Sequence, residues 1–195
     1  MNYTKLLKLK EKLYFNVNDV SENLSINSAS AKVLCCRYVK NGIFLRLKNN
    51  FYVFKDGWEN YTTNKLLQVS NILQVPSYVS FMTALSIHNV TTQVQREFFE
   101  NASLKRTTNF DIQGVVFNFY KLKKGLYFAF EKKNDIFMAT KEKAFLDAIY
   151  LYSLGKYKID LSSIDIGKLN IKEVKNIMRV FPNRTKNIIK KLCKI

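Results

Sequence analysis

The first part of the chain alternates apolar repeats of helical spacing with polar residues that can cap helices. An amphipathic first helix is predicted, because one side carries Tyr3, Leu6, Leu9 and Leu13 at helical spacing and the opposite side carries Lys5, Lys8 and Lys12. Asn16 lies three residues before Asp19, a spacing typical of a helix N-terminus, and predicts a short second helix that ends at Ser25.

A longer third helix is predicted to begin at Asn27 or Ser28 and to end at Asn41, with Gly42 in the left-handed position that closes many helices. At 100° per residue, the side expected to pack carries Ala31, Leu34, Cys35, Tyr38 and Val39. The side expected to face outward carries Ala29, Ser30, Lys32, Val33, Cys36, Arg37 and Lys40.

Two runs of alternating residues, 43–48 and 51–54, follow at once and are separated by Asn49 and Asn50. Asparagine tolerates the positive φ of a two-residue turn, so these runs predict a β-hairpin. The register we expect places on one face Leu45, Leu47, Tyr52 and Phe54, and leaves on the rim Arg46, Lys48 and the Asn49-Asn50 tip.

Three helices and a hairpin, in this order, are typical of a winged helix-turn-helix, whose third helix reads the major groove while the wing touches the DNA backbone. Serine hydroxyls bind phosphates or bases, and arginine can form paired hydrogen bonds with guanine. We therefore predict double-stranded DNA as a partner, bound through Ser28, Ser30, Lys32, Val33, Arg37, Lys40, Arg46, Lys48, Asn49 and Asn50. The alternative is a winged helix that binds only protein.

Residues 55–65 break the apolar periodicity with an Asp-Gly turn signal, and we place the junction between two domains there. The winged helix domain spans residues 1–60 and a second domain spans 66–195, with Trp58 and Tyr61 pinning the linker. The second domain begins with a helix from about residue 66 to Leu73, and Ser80 is expected to cap the next helix.

The remainder of the second domain changes from β-rich runs to helices. Short runs between residues 93 and 140 predict an antiparallel meander, at 97–101, 115–121, 126–131 and 136–139. Helices are predicted at 141–154, 171–180 and 186–192, the first with Ala144, Phe145, Ala148, Ile149 and Tyr152 inward. The fold class is therefore α+β: an N-terminal winged helix-turn-helix, then an α+β domain with an antiparallel meander and C-terminal helices.

The positive charge of the chain is compatible with a phosphate-bearing partner but does not by itself establish one. The 195 residues carry a net charge of +17, but lysine, asparagine and isoleucine are all abundant, as expected when a low-GC genome drifts its codons. Residues 168–195 hold nine basic residues and one acidic residue. That basic tail fits an extended DNA footprint, an acidic protein surface or a merely solvated helical face.

The sequence contains few residues that are typical of catalytic, metal-binding or nucleotide-binding sites. His88 is the only histidine, the three cysteines lack zinc spacing, and there is no glycine loop of the phosphate-binding type. We therefore predict no catalytic residue, no metal, no cofactor and no enzyme. An odd number of cysteines, with no signal peptide or apolar span of membrane length, predicts a cytoplasmic protein that does not enter a membrane.

Two motifs resemble the paired signatures of the AbiEi-type antitoxin family. The first is PSYVS at 76–80, followed by Ala84, Leu85 and His88, and the second is ATKEKAFLD at 139–147. The resemblance extends over residues 17–152, and departs from the family where Lys141 replaces a common proline and Asn89 a usual glycine. It implies a component of a type IV toxin–antitoxin system in abortive infection, or phage defence: a winged helix that represses its own operon, and a C-terminal domain that counters a nucleotidyltransferase-like toxin.

The charged residues of the second motif have a structural explanation. Glu142 falls in the first turn of a helix, where a carboxylate favours the positive end of the helix dipole, and Lys143 and Asp147 are one helical turn apart. Two alternatives to the antitoxin stay open, a transcriptional regulator without a toxin and a protein-interaction adaptor that does not touch DNA.

Overall fold

A computed structural model of the chain describes residues 3–93 and 95–195, so that residues 1, 2 and 94 of the predicted domains lie outside the described residues. The chain divides into two compact units, residues 1–69 and 70–195. The predicted α+β class is confirmed, with N-terminal helices followed by strands and C-terminal helices. The division falls a few residues after the predicted junction over 55–65.

The first unit is built from short helices and one pair of strands. The elements are α1 (Tyr3–Leu6), a 3-10 helix (Leu7–Glu11), α2 (Val17–Leu24), α3 (Ser28–Lys40), β1 (Phe44–Lys48), β2 (Phe51–Phe54), α4 (Lys55–Trp58) and the start of α5 (Thr63–Leu73). The predicted first helix is thus one α-helical turn that tightens into a 3-10 helix. Its leucines Leu6 and Leu9 are nevertheless buried.

The predicted helix caps are present. The side chain of Asn16 accepts hydrogen bonds from the backbone N–H groups of Asn18 and Asp19, and the Asp19 carboxylate accepts one from the Asn16 N–H, which completes a capping box. Asn27 caps α3 by accepting a hydrogen bond from the Ser30 N–H. Gly42, at φ +70°, follows the end of α3 as expected.

The predicted hairpin is present, but its predicted register is wrong. Phe44 pairs with Phe54 and Arg46 with Tyr52, while Leu45 lies opposite Val53. The register shifts between Arg46 and Lys48, so the strict alternation assumed for β1 fails at this bulge. The core cluster of the unit is built on Phe44, Tyr52 and Phe54 against Phe15; Leu45 is only half-buried, and Leu47, although buried, lies outside that cluster.

The predicted linker is ordered within the first unit. Asp56 and Gly57 lie in α4 rather than in a turn. Trp58 is buried and its ring lies 5.3 Å from that of Tyr61, whose hydroxyl donates a 2.7 Å hydrogen bond to the carbonyl of Leu13. The two aromatic residues therefore pin this segment to the first unit.

The second unit combines one mixed sheet with helices. Its strands are β3 (Ser77–Val79), β4 (Phe98–Ser103), β5 (Thr108–Ile112), β6 (Val115–Lys121), β7 (Phe130–Lys133) and β8 (Ile136–Ala139). Its helices, besides the end of α5, are α6 (Phe81–Ile87), α7 (Lys141–Ser153), α8 (Ile171–Ile177) and α9 (Asn183–Cys193), with short 3-10 helices at Lys124–Leu126, Leu161–Ser163, Ile166–Lys168 and Met178–Val180.

The predicted antiparallel meander is wrong. The strand order is β5-β6-β4-β3-β8-β7, in which the consecutive pairs are antiparallel. The two non-consecutive pairs, β4 with β6 and β3 with β8, are parallel, so the sheet is mixed. Two strands were not foreseen, β3 and β5. Leu126 lies in a 3-10 helix rather than at the start of a strand.

Helix α7 is the central helix of the second unit, because it packs against α6, α8 and α9. The predicted inward residues Ala144, Phe145, Ala148 and Ile149 are buried, whereas Tyr152 is 38% exposed, contrary to prediction. Among the described residues, no helix is both long enough and apolar enough to cross a membrane.

Candidate functional site

The exposed face of α3 carries most of the predicted DNA-binding residues. Ser28, Ser30, Lys32, Arg37 and Lys40 are exposed, as are Val33 and Cys36 of the same face. The opposite face is held in the core through Ala31 and Cys35, both fully buried. The burial of one face fixes the other toward solvent, and Val33, at 59% exposure, is its most exposed large apolar residue.

The cations of α3 differ from the lysines that precede α2. Lys10 pairs with Asp56, and Lys12 pairs with Asp19. In residues 3–93 and 95–195, by contrast, no acidic side chain pairs with Lys32, Arg37 or Lys40, although all three belong to the same compact unit. Their charges are therefore available to an external anion.

The hairpin tip is organised by side chains that sequence reasoning assigned to DNA. Arg46 donates a 2.9 Å hydrogen bond to Asn49 Oδ1 and a weaker one, 3.4 Å, to the carbonyl of Lys48. The Lys48 ammonium lies 4.0 Å from the centre of the Phe51 ring. These contacts restrain both cations at the tip without burying either.

Asn50 has a structural task as well. It adopts φ +60°, which the turn requires, and its Oδ1 accepts a 3.0 Å hydrogen bond from the Val17 N–H at the start of α2. The side chain therefore ties the hairpin tip to the N-terminus of α2. Sequence reasoning missed this tie, because the two residues are 33 positions apart and no local pattern links them.

The predicted site residues thus form two groups within the first unit, one on α3 and one at the hairpin tip. Ser28 and Ser30 lie in the first turn of α3, which Asn27 caps, and both residues are exposed. Cys36 was expected to face outward but was not proposed as a contact. It is exposed between Lys32 and Lys40, one helical turn from each, and so lies within the same surface.

In the second unit, the two sequence motifs meet in a buried polar network. Lys143 and Asp147 are both fully buried and form an ion pair. Tyr78 accepts a 2.8 Å hydrogen bond from the Lys143 ammonium and donates a 2.9 Å hydrogen bond to Asp147. Ser80 donates a further 2.9 Å hydrogen bond to the same carboxylate. Ser80 stands at the N-cap position of α6, but its hydroxyl does not cap the helix as predicted, because Asp147 receives it.

Burial disfavours the charged forms of both Lys143 and Asp147. It raises the pKa of Asp147 and lowers the pKa of Lys143, while the attraction between the two groups works against both shifts. Every oxygen of Asp147 is occupied by a donor from the protein. A group so enclosed has no room for a substrate, so the network is structural.

A second buried carboxylate lies on β4. Glu100 accepts hydrogen bonds from the Met82 N–H at 3.0 Å and from the Tyr157 hydroxyl at 2.8 Å. Burial raises its pKa, and these donors oppose that shift. Glu142 is also structural, because it accepts a 2.9 Å hydrogen bond from the Asn170 N–H. His88 is exposed, with Nε2 2.9 Å from the carbonyl of Ala139.

Within the described ranges, no cluster of three histidine, cysteine, aspartate or glutamate side chains is arranged to hold a metal ion. The chain matches no protein-family model, and no curated protein is significantly similar to it in sequence.

Proposed function

We propose that the first unit is a winged helix-turn-helix that binds double-stranded DNA through α3 and the hairpin tip. We further propose that the chain is a DNA-binding antitoxin that represses its own operon and counteracts a nucleotidyltransferase-like toxin. The observation that carries the DNA-binding part is the exposed face of α3, where Lys32, Arg37 and Lys40 have no acidic partner among the described residues.

The geometry supports different roles for the two elements, with base contacts from α3 and phosphate contacts from the hairpin tip. A helix of this length fits the major groove, where serine hydroxyls and an arginine can reach base edges. Arg46 and Lys48, restrained at the hairpin tip, suit contacts with phosphates, which position a protein but carry no sequence information. The expected specificity therefore resides in α3.

The first experiment measures binding of the full chain to the DNA upstream of its own coding sequence. Fluorescence anisotropy with this duplex and with a scrambled duplex of equal length, across a salt series, separates specific from electrostatic binding. We expect preference for the natural sequence, and an affinity that falls with salt by about 0.9 logarithmic units per decade for each phosphate neutralised. Equal binding to both duplexes would contradict sequence-specific recognition.

Single substitutions test the assigned roles. Arg37→Ala is expected to weaken operator binding by about 1–3 kcal/mol and to reduce sequence preference. Lys48→Ala is expected to weaken both duplexes alike and to lower the salt dependence by about one phosphate. Lys133→Ala removes the same charge from an exposed position of β7 and serves as the matched control. If Arg37→Ala weakened both duplexes equally, its assignment to base recognition would be wrong.

Cys36 offers a direct test of which surface meets the DNA. Its thiol is exposed in the middle of the proposed interface, whereas Cys35 and Cys193 are buried. Alkylation by iodoacetamide should therefore label Cys36 in the free protein, and bound operator DNA should slow that labelling while scrambled DNA does not. Unchanged labelling in a complex shown to have formed would place the DNA elsewhere.

The antitoxin part rests on the resemblance of the two motifs, at 76–80 and 139–147. Its test is expression of the neighbouring gene with and without this chain. Growth arrest that the chain relieves supports an antitoxin. A harmless neighbour, together with specific operator binding, favours a regulator without a toxin, and failure to bind DNA favours a protein adaptor.

A further inference from the structure

A cavity of about 830 Å³ lies in the second unit, between the end of β6 and the C-terminal half of α7. Its walls are largely apolar and aromatic, formed by Tyr120, Leu122, Tyr150, Leu151, Leu154 and Pro182. A concave, mostly apolar space of this size is typical of sites for small organic ligands. None of these residues belongs to the proposed DNA interface.

Three cations line the same cavity. Lys121, Lys123 and Lys156 are exposed, and no acidic residue is among the lining residues. In the part of the chain that the structure describes, no acidic side chain pairs with any of the three. Their charges therefore favour an anionic ligand, and lysine ammonium groups bind phosphate readily.

Tyr150 adds a residue with a polar group to the wall of the same cavity. The residue is 3% exposed, and its hydroxyl has no hydrogen-bond partner among the described residues. The fully buried side-chain oxygen without a partner in those residues is Ser77 Oγ, so the Tyr150 hydroxyl must still reach solvent. A ligand in the cavity would lie against a residue with an unused hydrogen-bonding group.

We propose that this cavity binds a nucleoside phosphate, with the base against the half-buried Tyr120 and the exposed Leu154 and the phosphates at the three lysines. Aromatic walls recognise the face of a base, and each base stacked in this way adds to affinity without requiring a particular base edge. The polar groups of the wall are few, so recognition is expected to depend on the combination of base and phosphate. This site does not depend on DNA binding by the first unit.

Isothermal titration calorimetry of the full chain with ATP and AMP tests the proposal, with adenosine and tripolyphosphate as partial ligands. We expect saturable binding of at least one nucleotide, and binding at least tenfold weaker for both partial ligands. Tripolyphosphate binding as tightly as ATP would overturn the proposal, since it would show a charge effect alone. Absence of saturable nucleotide binding at millimolar concentration would overturn it too.

Variants locate the binding. Lys121→Ala, Lys123→Ala and Lys156→Ala combined should weaken nucleotide binding at least tenfold, and Leu154→Glu, at a 40% exposed position of the wall, should do the same by repulsion. Tyr150→Phe should weaken binding several-fold while leaving the fold intact.

The control triple variant removes the same charge from exposed lysines outside the cavity: Lys172→Ala, Lys175→Ala and Lys191→Ala. An equal loss in this control would overturn the assignment to the cavity. Polyglutamate is tested in the same way. If it bound the wild type as tightly as ATP and its binding were lost in the Leu154→Glu variant, the occupant would be an acidic protein segment, and the nucleotide proposal would be overturned.

Discussion

Replacement of Lys143 by methionine is expected to destabilise the second unit severely. Methionine fills a similar volume, but Asp147 then remains fully buried with two hydroxyl donors and no cation. Breaking a buried ion pair from one side destabilises by about 3–5 kcal/mol, because an uncompensated charge is left behind. The combined change Lys143→Met with Asp147→Leu removes both charges and should restore most of that loss, apart from the hydroxyls of Tyr78 and Ser80, which lose an acceptor.

The loss in Lys143→Met should depend on pH in a defined direction. Burial already raises the pKa of Asp147 in the folded state, and the attraction of Lys143 opposes that shift. Without Lys143 the folded-state pKa rises further above the unfolded value. A carboxyl whose pKa is raised on folding favours the folded state below the unfolded pKa, and that contribution is lost as pH rises through the folded pKa. The variant should therefore be closer to the wild type in acid than at pH 8.

Hydrogen exchange during urea unfolding measures these effects for peptides of β3 and α7, while Trp58, the only tryptophan, reports on the first unit. Two results would refute the buried pair. One is a loss of unfolding free energy below about 1 kcal/mol for Lys143→Met. The other is a double variant whose loss equals the sum of the losses for Lys143→Met and Asp147→Leu measured singly.

Three further outcomes are expected. Cys36 should react with a thiol reagent at pH 8 in the folded protein, whereas Cys35 should not, because burial raises its pKa to about 11. Asn16→Ala should lower the unfolding free energy of the first unit by about 1 kcal/mol in urea denaturation, since it removes the cap of α2. Ser80→Ala should destabilise the second unit by about 1–2 kcal/mol, whereas Ser77→Ala, whose hydroxyl has no partner in the described residues, should be neutral or stabilising in thermal unfolding.

Each outcome has a result that contradicts it. Equal labelling of the two cysteines would mean that α3 is not packed as described. An unchanged urea midpoint for Asn16→Ala would show that the capping box adds nothing in solution. Equal losses for the two serine variants would mean that the hydroxyl of Ser80 is no more engaged than that of Ser77.

Features set by neighbouring residues were predictable from the sequence. The caps at Asn16 and Asn27 and the end of α3 at Gly42 depend on local hydrogen bonds and backbone conformation. The two faces of α3 follow from helical geometry once Ala31 and Cys35 are placed inside. The exposed face of the candidate DNA interface was predictable for the same reason.

Features set by distant residues were not predictable. The register of the hairpin depends on a bulge after Arg46 that alternation alone does not reveal. The parallel pairing of β3 with β8 joins segments some 60 residues apart, and three residues of β3 are too few to show a period. Lys143 and Asp147 were correctly placed one turn apart, but their burial depends on Tyr78, which only the folded sheet brings to them.

The position of that network along the chain constrains the order in which the second unit can fold. The hydrogen bonds from β3 and Ser80 to α7 span 65 to 69 residues, so a long loop must close before any of them forms. Contacts of such separation slow folding. Until α7 docks, the charges of Lys143 and Asp147 are more stable in contact with water than buried. A nascent chain that ends before residue 141 lacks the hydrogen-bond partners of Tyr78 and Ser80. On the ribosome, the strands before residue 121 can pair with one another, but the buried network of the second unit should form only after α7 has emerged.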